Sequence, residues 1–195
     1  MVIGNFGQYN HLIYRTLRDL GIPSKLLLNT VSFDKIREEK PSGIVLGGGP
    51  TLERVGVCPE IIRKIEVPIL GICLGHQLMA KEFGGDVGSG KRGGFAEVEV
   101  YIDKPVDIFE GFPPKIKTWS SHNDEIKTLP DCFEILAHSD ICEYEAIRHK
   151  KRPLFGVQFH PEVIHTQLGS ELYKNFAKIC DRYSNSNPTK PSNKF

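Results

Sequence analysis

Ile69-Leu70-Gly71-Ile72-Cys73-Leu74-Gly75-His76-Gln77 sets one cysteine between two glycines, at the point where an apolar strand gives way to a helical pattern. A residue on so sharp a strand-to-helix turn takes a strained backbone conformation, and the positions two away on either side must be small for strand and helix to pack. Gly71 and Gly75 meet that requirement. The sulfur would then lie at the first turn of a helix, where unpaired N–H groups and the positive end of the dipole favour thiolate over thiol. Cys73 is expected to be reactive near neutral pH. A buried core strand is the competing interpretation of Val67-Pro68-Ile69-Leu70, since free cysteine is often a small core residue. Glycine at both flanks weighs against it, because glycine weakens a strand interior.

Upstream and downstream of this turn the chain alternates strand and helix. Residues 1–4 read as a first strand, 11–20 as a helix carrying Leu12, Ile13, Leu17 and Leu20 on one face, and 25–28 as a second strand. A short helix over 33–39, a strand over 43–46, a helix over 58–65, the strand 69–72 and the helix 74–83 follow, the last closed by Gly84-Gly85. Such alternation predicts a parallel sheet covered on both faces. After Gly94 the pattern changes: Phe95 to Ile102 alternates apolar and polar residues as a half-exposed antiparallel strand does. Further strands are expected at 116–119, 132–137, 145–148 and 154–159, and a final helix at 168–183 with Leu172, Phe176 and Ile179 on one face. The expectation is one domain over 1–183 and a disordered tail over 184–195, which is polar and contains proline.

Composition narrows the function classes. The 195 residues carry 25 Lys and Arg against 24 Asp and Glu, so no overall charge draws the chain to nucleic acid or an anionic membrane. No apolar run approaches membrane-spanning length and the start does not read as a signal peptide, so a soluble protein is expected. Five cysteines, Cys58, Cys73, Cys132, Cys142 and Cys180, are odd in number and lack CxxC pairing, which argues against a disulfide framework or a zinc site. A reducing cytoplasm fits best. His76, His122, His138, His149 and His165 have no partner at a credible ligand spacing, and no metal site is expected. Residues 85–91 satisfy GxxxxGK and residues 88–93 satisfy GxGxxG, but Arg92 stands where a phosphate loop needs Ser or Thr. The segment also follows a helix and precedes a strand, the reverse of the order that aims amides at phosphate. A mobile glycine-rich surface loop is the better reading there.

A thiolate attacking a carbonyl needs a proton-transfer partner, and that partner needs an orienting group. Val157-Gln158-Phe159-His160-Pro161-Glu162-Val163 supplies both. Pro161 pushes His160 toward extended backbone angles, so His160 and Glu162 can project to the same side at the end of a buried strand, where open α/β sheets place their sites. Charge developing on a tetrahedral oxygen must meet positioned amides. The Leu74 N–H is one candidate and the Gly49 N–H, in Gly47-Gly48-Gly49-Pro50, is the second.

With the glycine-flanked cysteine, the glycine loop and His160-Pro161-Glu162 in this order, residues 1–183 resemble a class I, or triad, glutamine amidotransferase. The resemblance implies an α/β fold, a flavodoxin-like mixed and mostly parallel sheet with helices on both faces and antiparallel strands added in the second half. It also implies that Cys73 attacks the side-chain amide of L-glutamine, with His160 moving protons and Glu162 orienting it. Gln77 matches a position that contacts the substrate amino acid, and Ser121, Asn123 and Asp124 fall where the family holds the substrate backbone groups.

Phe6-Gly7-Gln8-Tyr9, Trp119-Ser120-Ser121-His122-Asn123-Asp124 and His160 to Thr166 resemble the branch of the family that serves GMP synthases, with departures at Gly47 and Asn123. That branch implies no cofactor in this chain and a separate ATP pyrophosphatase subunit using ATP and Mg2+. Amidotransferase subunits of anthranilate or aminodeoxychorismate synthase, and a stand-alone γ-glutamyl hydrolase, are the alternatives. A silent binding module on the same fold is disfavoured by the presence of Cys73, His160 and Glu162 together.

Overall fold

The computed structural model describes residues 1–186, with residues 91–95 described by backbone alone. Among the described residues nine strands form one sheet, β1 (Val2–Gly4), β2 (Leu26–Leu28), β3 (Ile44–Leu46), β4 (Ile69–Ile72), β5 (Asp86–Ile102), β6 (Lys115–Thr128), β7 (Phe133–Ser139), β8 (Ala146–His149) and β9 (Leu154–Val157), in the order β2-β1-β3-β4-β9-β8-β7-β5-β6. The strands from β2 to β9 in that order are parallel, and the remaining pairings are antiparallel. The expected mixed, mostly parallel core with added antiparallel strands is what the chain forms.

Short apolar runs make the parallel strands because each residue has a core to enter on its own side of the sheet. Val2, Val45, Leu70 and Ile72 enter one apolar cluster, with Ile13 and Leu17 of α1 (Asn10–Asp19) and Leu172, Tyr173 and Phe176 of α5 (Gly169–Ser186). Ile3, Ile44, Leu46 and Ile69 enter the other, with Ile36 of α2 (Phe33–Glu38), Ile61 and Ile62 of α3 (Cys58–Lys64), and Leu74 and Leu78 of α4 (Leu74–Glu82). The period-two division of each strand thus fixes which helices cover which face. Strand order reverses between β1 and β3, and the segments after β1, β3, β4 and β9 leave the sheet at its carboxyl edge, where such folds place their sites.

The largest departures from the sequence expectation are three, the first being β6, which runs from Lys115 to Thr128 where a strand over 116–119 is expected. The glycine-rich segment 85–93 is not a loop beyond Gly85: β5 begins at Asp86 and pairs with β6 through Ser89↔Asp124 and Gly94↔His122, with a register shift between. Glycine's low strand propensity is outweighed by a long partner strand, and cross-strand pairs such as Lys115–Glu99 and Lys117–Glu97, both 2.9 Å, line the exposed face of this hairpin. Helix α5 runs through Ser186, three residues into the stretch expected as tail, while 187–195 lie outside the described residues. Among the described residues no helix is long and apolar enough to cross a membrane.

Candidate active site

Cys73 ends β4 and starts α4 with φ 51° and ψ −103°, a conformation that few residues other than glycine adopt. It is held there by its own N–H, which donates to Val157 O at 2.8 Å, and by its carbonyl, which accepts from Gln77 N at 3.0 Å. Both flanking glycines are required by space. A Cβ at Gly71 would stand 2.5 Å from the backbone of Gly75, and one at Gly75 would collide with the carbonyl oxygen of Leu46. Helix α4 therefore lies directly on β4 and β3, and the sulfur is carried to the edge of the sheet.

Parallel pairing of β4 with β9, Ile72↔Val157, brings the His160 segment beside the cysteine. His160 stands beside Cys73, the two meeting at the same point next to Gly48, while the Cys73 Sγ donates to Ser121 O at 3.9 Å and the His160 Nδ1 lies 2.8 Å from Glu162 Oε1. Burial alone would lower the imidazole pKa, but the neighbouring Cys73 sulfur and the Glu162 carboxylate outweigh it and raise the group to about 10. His160 is therefore an imidazolium at neutral pH, paired with a carboxylate on one side and facing sulfur on the other. Its backbone is fixed as firmly: His160 N donates to Trp119 O at 3.0 Å, and Thr166 Oγ1 donates to His160 O at 2.7 Å while accepting from Trp119 N at 2.9 Å. Tyr9 meets the imidazole edge-on at 4.8 Å and accepts a bond from Trp119 Nε1 at 3.3 Å. Behind the triad, the buried Tyr173 hydroxyl donates to Glu162 Oε2 at 3.5 Å.

The glycine loop after β3 is pinned by its carbonyls. Gly47 O accepts from Asn5 Nδ2 at 2.9 Å, and Gly48 O accepts from Asn10 Nδ2 at 3.1 Å and from Gly7 N at 3.2 Å. With the carbonyls turned to the protein, the amides face the other way. A side chain at Gly49 would overlap Asn5 O and Leu74, and one at Gly48 would stand 3.3 Å from His160 Cε1 and 3.8 Å from Cys73 Cβ. This close approach puts the Gly49 and Leu74 amides near the sulfur, and neither donates a backbone bond among the described residues. Two amides so placed can receive charge on an oxygen. At Gly47, the space a side chain would need is filled by the buried Asn10 side chain.

One cavity of about 460 Å³ is lined by Cys73, Leu74, Gly49, His160, Gln77, Ser121, Asn123 and Asp124. The structure thus gathers every sequence-derived candidate except Glu162, which stands behind His160 as an orienting group must. Gln77 Nε2 donates to Asp124 O at 2.6 Å and to Gln158 Oε1 at 3.1 Å. Sequence reasoning missed Asn5, Asn10, Tyr9, Trp119, Thr166, Tyr173 and Gln158. These act through packing with distant segments, and only the positions of Tyr9, Trp119, Gln158 and Thr166 in quoted motifs offered a signal. Among the described residues no group of three or more His, Cys, Asp or Glu could hold a metal ion. Cys58 donates to Asn5 Oδ1 at 3.2 Å, and burial raises its thiol pKa to about 12, so this cysteine supports the loop network and is no nucleophile.

Residues 1–180 match the family model described as Glutamine amidotransferase class-I. The chain is 55% identical over 181 residues to the glutamine-hydrolyzing GMP synthase A subunit of Archaeoglobus fulgidus, covering 93% of this chain and 98% of that one. It is 51% identical over 183 residues to the protein of the same name in Pyrococcus furiosus, covering 92% and 97%. A solved structure from Thermoplasma acidophilum, of a protein assigned to the same GMP synthase component, superposes with a TM-score of 0.89 at 37% identity, covering 96% and 98% of the two chains.

Proposed function

The chain belongs to the class-I glutamine amidotransferases, and from that premise we propose that it is the glutamine-hydrolysing subunit of a two-subunit GMP synthase. The observation that carries the reading is Cys73 on its strained turn, beside an imidazole held at 2.8 Å by Glu162, inside a cavity that also holds two free amides. The relatives, each matched almost end to end and named for the same component of GMP synthase, support that branch over the anthranilate, aminodeoxychorismate and stand-alone hydrolase alternatives.

In the first half-reaction the Cys73 sulfur bonds to the δ-carbon of glutamine, and the carbonyl electron pair moves to oxygen, where the Gly49 and Leu74 amides receive it. Collapse of this adduct breaks the C–N bond. His160 gives its proton to the departing nitrogen, which leaves as ammonia. In the second half-reaction water adds to the glutamyl thioester, His160 takes a proton from it, and the C–S bond breaks to give glutamate and restore the sulfur. Glu162 keeps the ring oriented through both transfers. Gln77, Ser121, Asn123 and Asp124 hold the backbone groups of the amino acid. This chemistry calls for side chains and water alone, so ATP and Mg2+ are assigned to a separate ATP pyrophosphatase subunit that takes up the ammonia. Ammonia is nucleophilic only while unprotonated, which requires the cavity mouth to face that partner.

The test is ammonia release from glutamine by wild type and Cys73→Ala, each with and without the ATP pyrophosphatase subunit loaded with XMP and MgATP. Low wild-type release that rises with the loaded partner, and none from Cys73→Ala in either condition, is expected. Ammonia release by Cys73→Ala, or wild-type turnover indifferent to the partner, refutes the proposal.

A further inference from the structure

Of the side chains that hold the glycine loop, Asn10 is the one whose presence the fold does not explain. Asn5 is fully matched: its Nδ2 donates to Gly47 O at 2.9 Å, and its Oδ1 accepts from Cys58 Sγ at 3.2 Å and from Asn29 Nδ2 at 2.8 Å. Asn10 uses half of its carboxamide. Its Nδ2 donates to Gly48 O at 3.1 Å, and since that oxygen can only accept, the orientation of the amide is settled. The Oδ1 is thereby turned into the space beside Gly47, buried and with no partner among the described residues. A buried acceptor left unmatched lowers stability. Nor does Asn10 cap α1, of which it is the first residue, because the start of that helix has no side-chain capping bond. Leucine has nearly the same branched outline and is the better helix former. For folding alone, an apolar side chain would serve better at this position.

What the Nδ2 bond supplies is direction. The Gly48 carbonyl and the Gly49 N–H belong to one trans peptide unit and so point opposite ways. Glycine on both sides of that unit puts little steric resistance in the way of the plane turning over. A single donor on the carbonyl would leave the plane free to pivot about its bond, whereas two donors from different elements fix it. Among the described residues those two are Gly7 N, from the loop after β1, at 3.2 Å, and Asn10 Nδ2, from α1, which is packed on the sheet through Ile13 and Leu17. The fixed plane keeps the Gly49 N–H turned to the side of the loop where the His160 ring and Cys73 Cβ flank Gly48.

We propose that Asn10 is a positioning residue for the reaction, locking the Gly48–Gly49 peptide so that the Gly49 N–H is in place before charge develops on the substrate oxygen. The proposal rests on the glutamine-hydrolysing reading and concerns the amide that receives charge, leaving the grip on the amino acid unchanged. Asn10→Leu fills the same space without a donor, and Asn10→Ala removes the donor without crowding the loop. Both are assayed in the complex with the loaded ATP pyrophosphatase subunit, for ammonia release from glutamine and for inhibition by its aldehyde analogue, glutamate γ-semialdehyde. Cys73 captures that aldehyde by bonding to the carbonyl carbon while the electron pair moves to oxygen, so inhibition reports on the amides that meet it. Each variant is expected to lower kcat by about tenfold to a hundredfold, somewhat less than deletion of such a donor, with KM within about threefold of wild type and inhibition weakened by a similar factor to kcat. The urea midpoint of at least one variant is expected to match or exceed that of wild type. Wild-type kcat in Asn10→Ala overturns the proposal, as does undiminished inhibition, a rise in KM that accounts for the lost activity, or a midpoint lowered in both variants. If wild type releases no ammonia from glutamine in that assay, it is the amidotransferase reading itself that fails.

Discussion

Glu145→Gln should stabilise the protein at alkaline pH and only there. Glu145, the residue before β8, is 1% exposed, accepts a 2.8 Å bond from Ser139 Oγ at Oε1, and has no partner at Oε2 among the described residues. Desolvation raises its pKa from 4.5 to about 7, against the Ser139 bond and the pull of His138, with the charge of Glu125 adding to the rise. A carboxyl group raised in the folded state binds its proton more tightly there than in the unfolded chain. The wild type is therefore undiminished below about pH 4.5, loses stability as pH rises through 7, and levels off above. The gap between 4.5 and about 7 corresponds to about 3 kcal/mol. A glutamine side chain in its place would keep the Ser139 bond and carry no charge, while an amide hydrogen lacking an acceptor costs the variant the same at every pH. Urea denaturation of both proteins at pH 5 and pH 8.5 isolates the charge, because all other titrating groups are shared. Because pH 5 already lies above the unfolded value of 4.5, the difference in unfolding free energy, variant minus wild type, should be about 2.5 kcal/mol more favourable at pH 8.5 than at pH 5. Equal differences at the two pH values would show that Glu145 ionises without penalty and refute the reasoning.

Three further outcomes follow from the site. Iodoacetamide at pH 7.5 should label Cys73 and the half-buried Cys132, with glutamine protecting the former, while Cys58, Cys142 and Cys180, whose pKa values burial raises, stay unlabelled by peptide mass mapping; rapid labelling of Cys58 would contradict its place in the Asn5 network. Gly75→Ala forces a methyl group onto Leu46 O and should lower unfolding free energy by about 1–3 kcal/mol with loss of ammonia release, read from a urea midpoint and a glutaminase assay. Glu162→Gln removes a carboxylate that, with the Cys73 sulfur, helps hold His160 near 10, so the imidazole should titrate at lower pH by NMR of labelled histidine, and an unmoved resonance would deny the pairing its electrostatic role.

The parts of the fold that could be read in advance are those governed by local rules. Val2-Ile3 and Ile44-Val45-Leu46 are strands because both faces of a parallel sheet are dry, and Gly71 and Gly75 mark the turn because backbone passes where a Cβ would stand. Cys73, His160, Glu162, Gly49 and Leu74 could be found because each sits at a strand end beside a residue with an unusual backbone requirement. Residues whose contribution depends on a distant segment left no such mark. Thr166 bridges Trp119 N and His160 O, and Asn10 fills the space beside Gly47, contacts that no spacing rule contains. The strand character of 86–94 was hidden for a related reason: its glycines lower local propensity, and only pairing with β6 decides the outcome.

The place of β9 has a consequence for the order in which the protein is made. Among the described residues it is the last strand to be synthesised, yet it enters the middle of the sheet, between β4 and β8. Until it does, the emerging chain displays a sulfur with no proton donor and a turn whose anchoring carbonyl, that of Val157, has not arrived. Hydrolytic competence is thereby withheld until β9 and the His160 segment have been made, and chains terminated before them are left unable to squander glutamine.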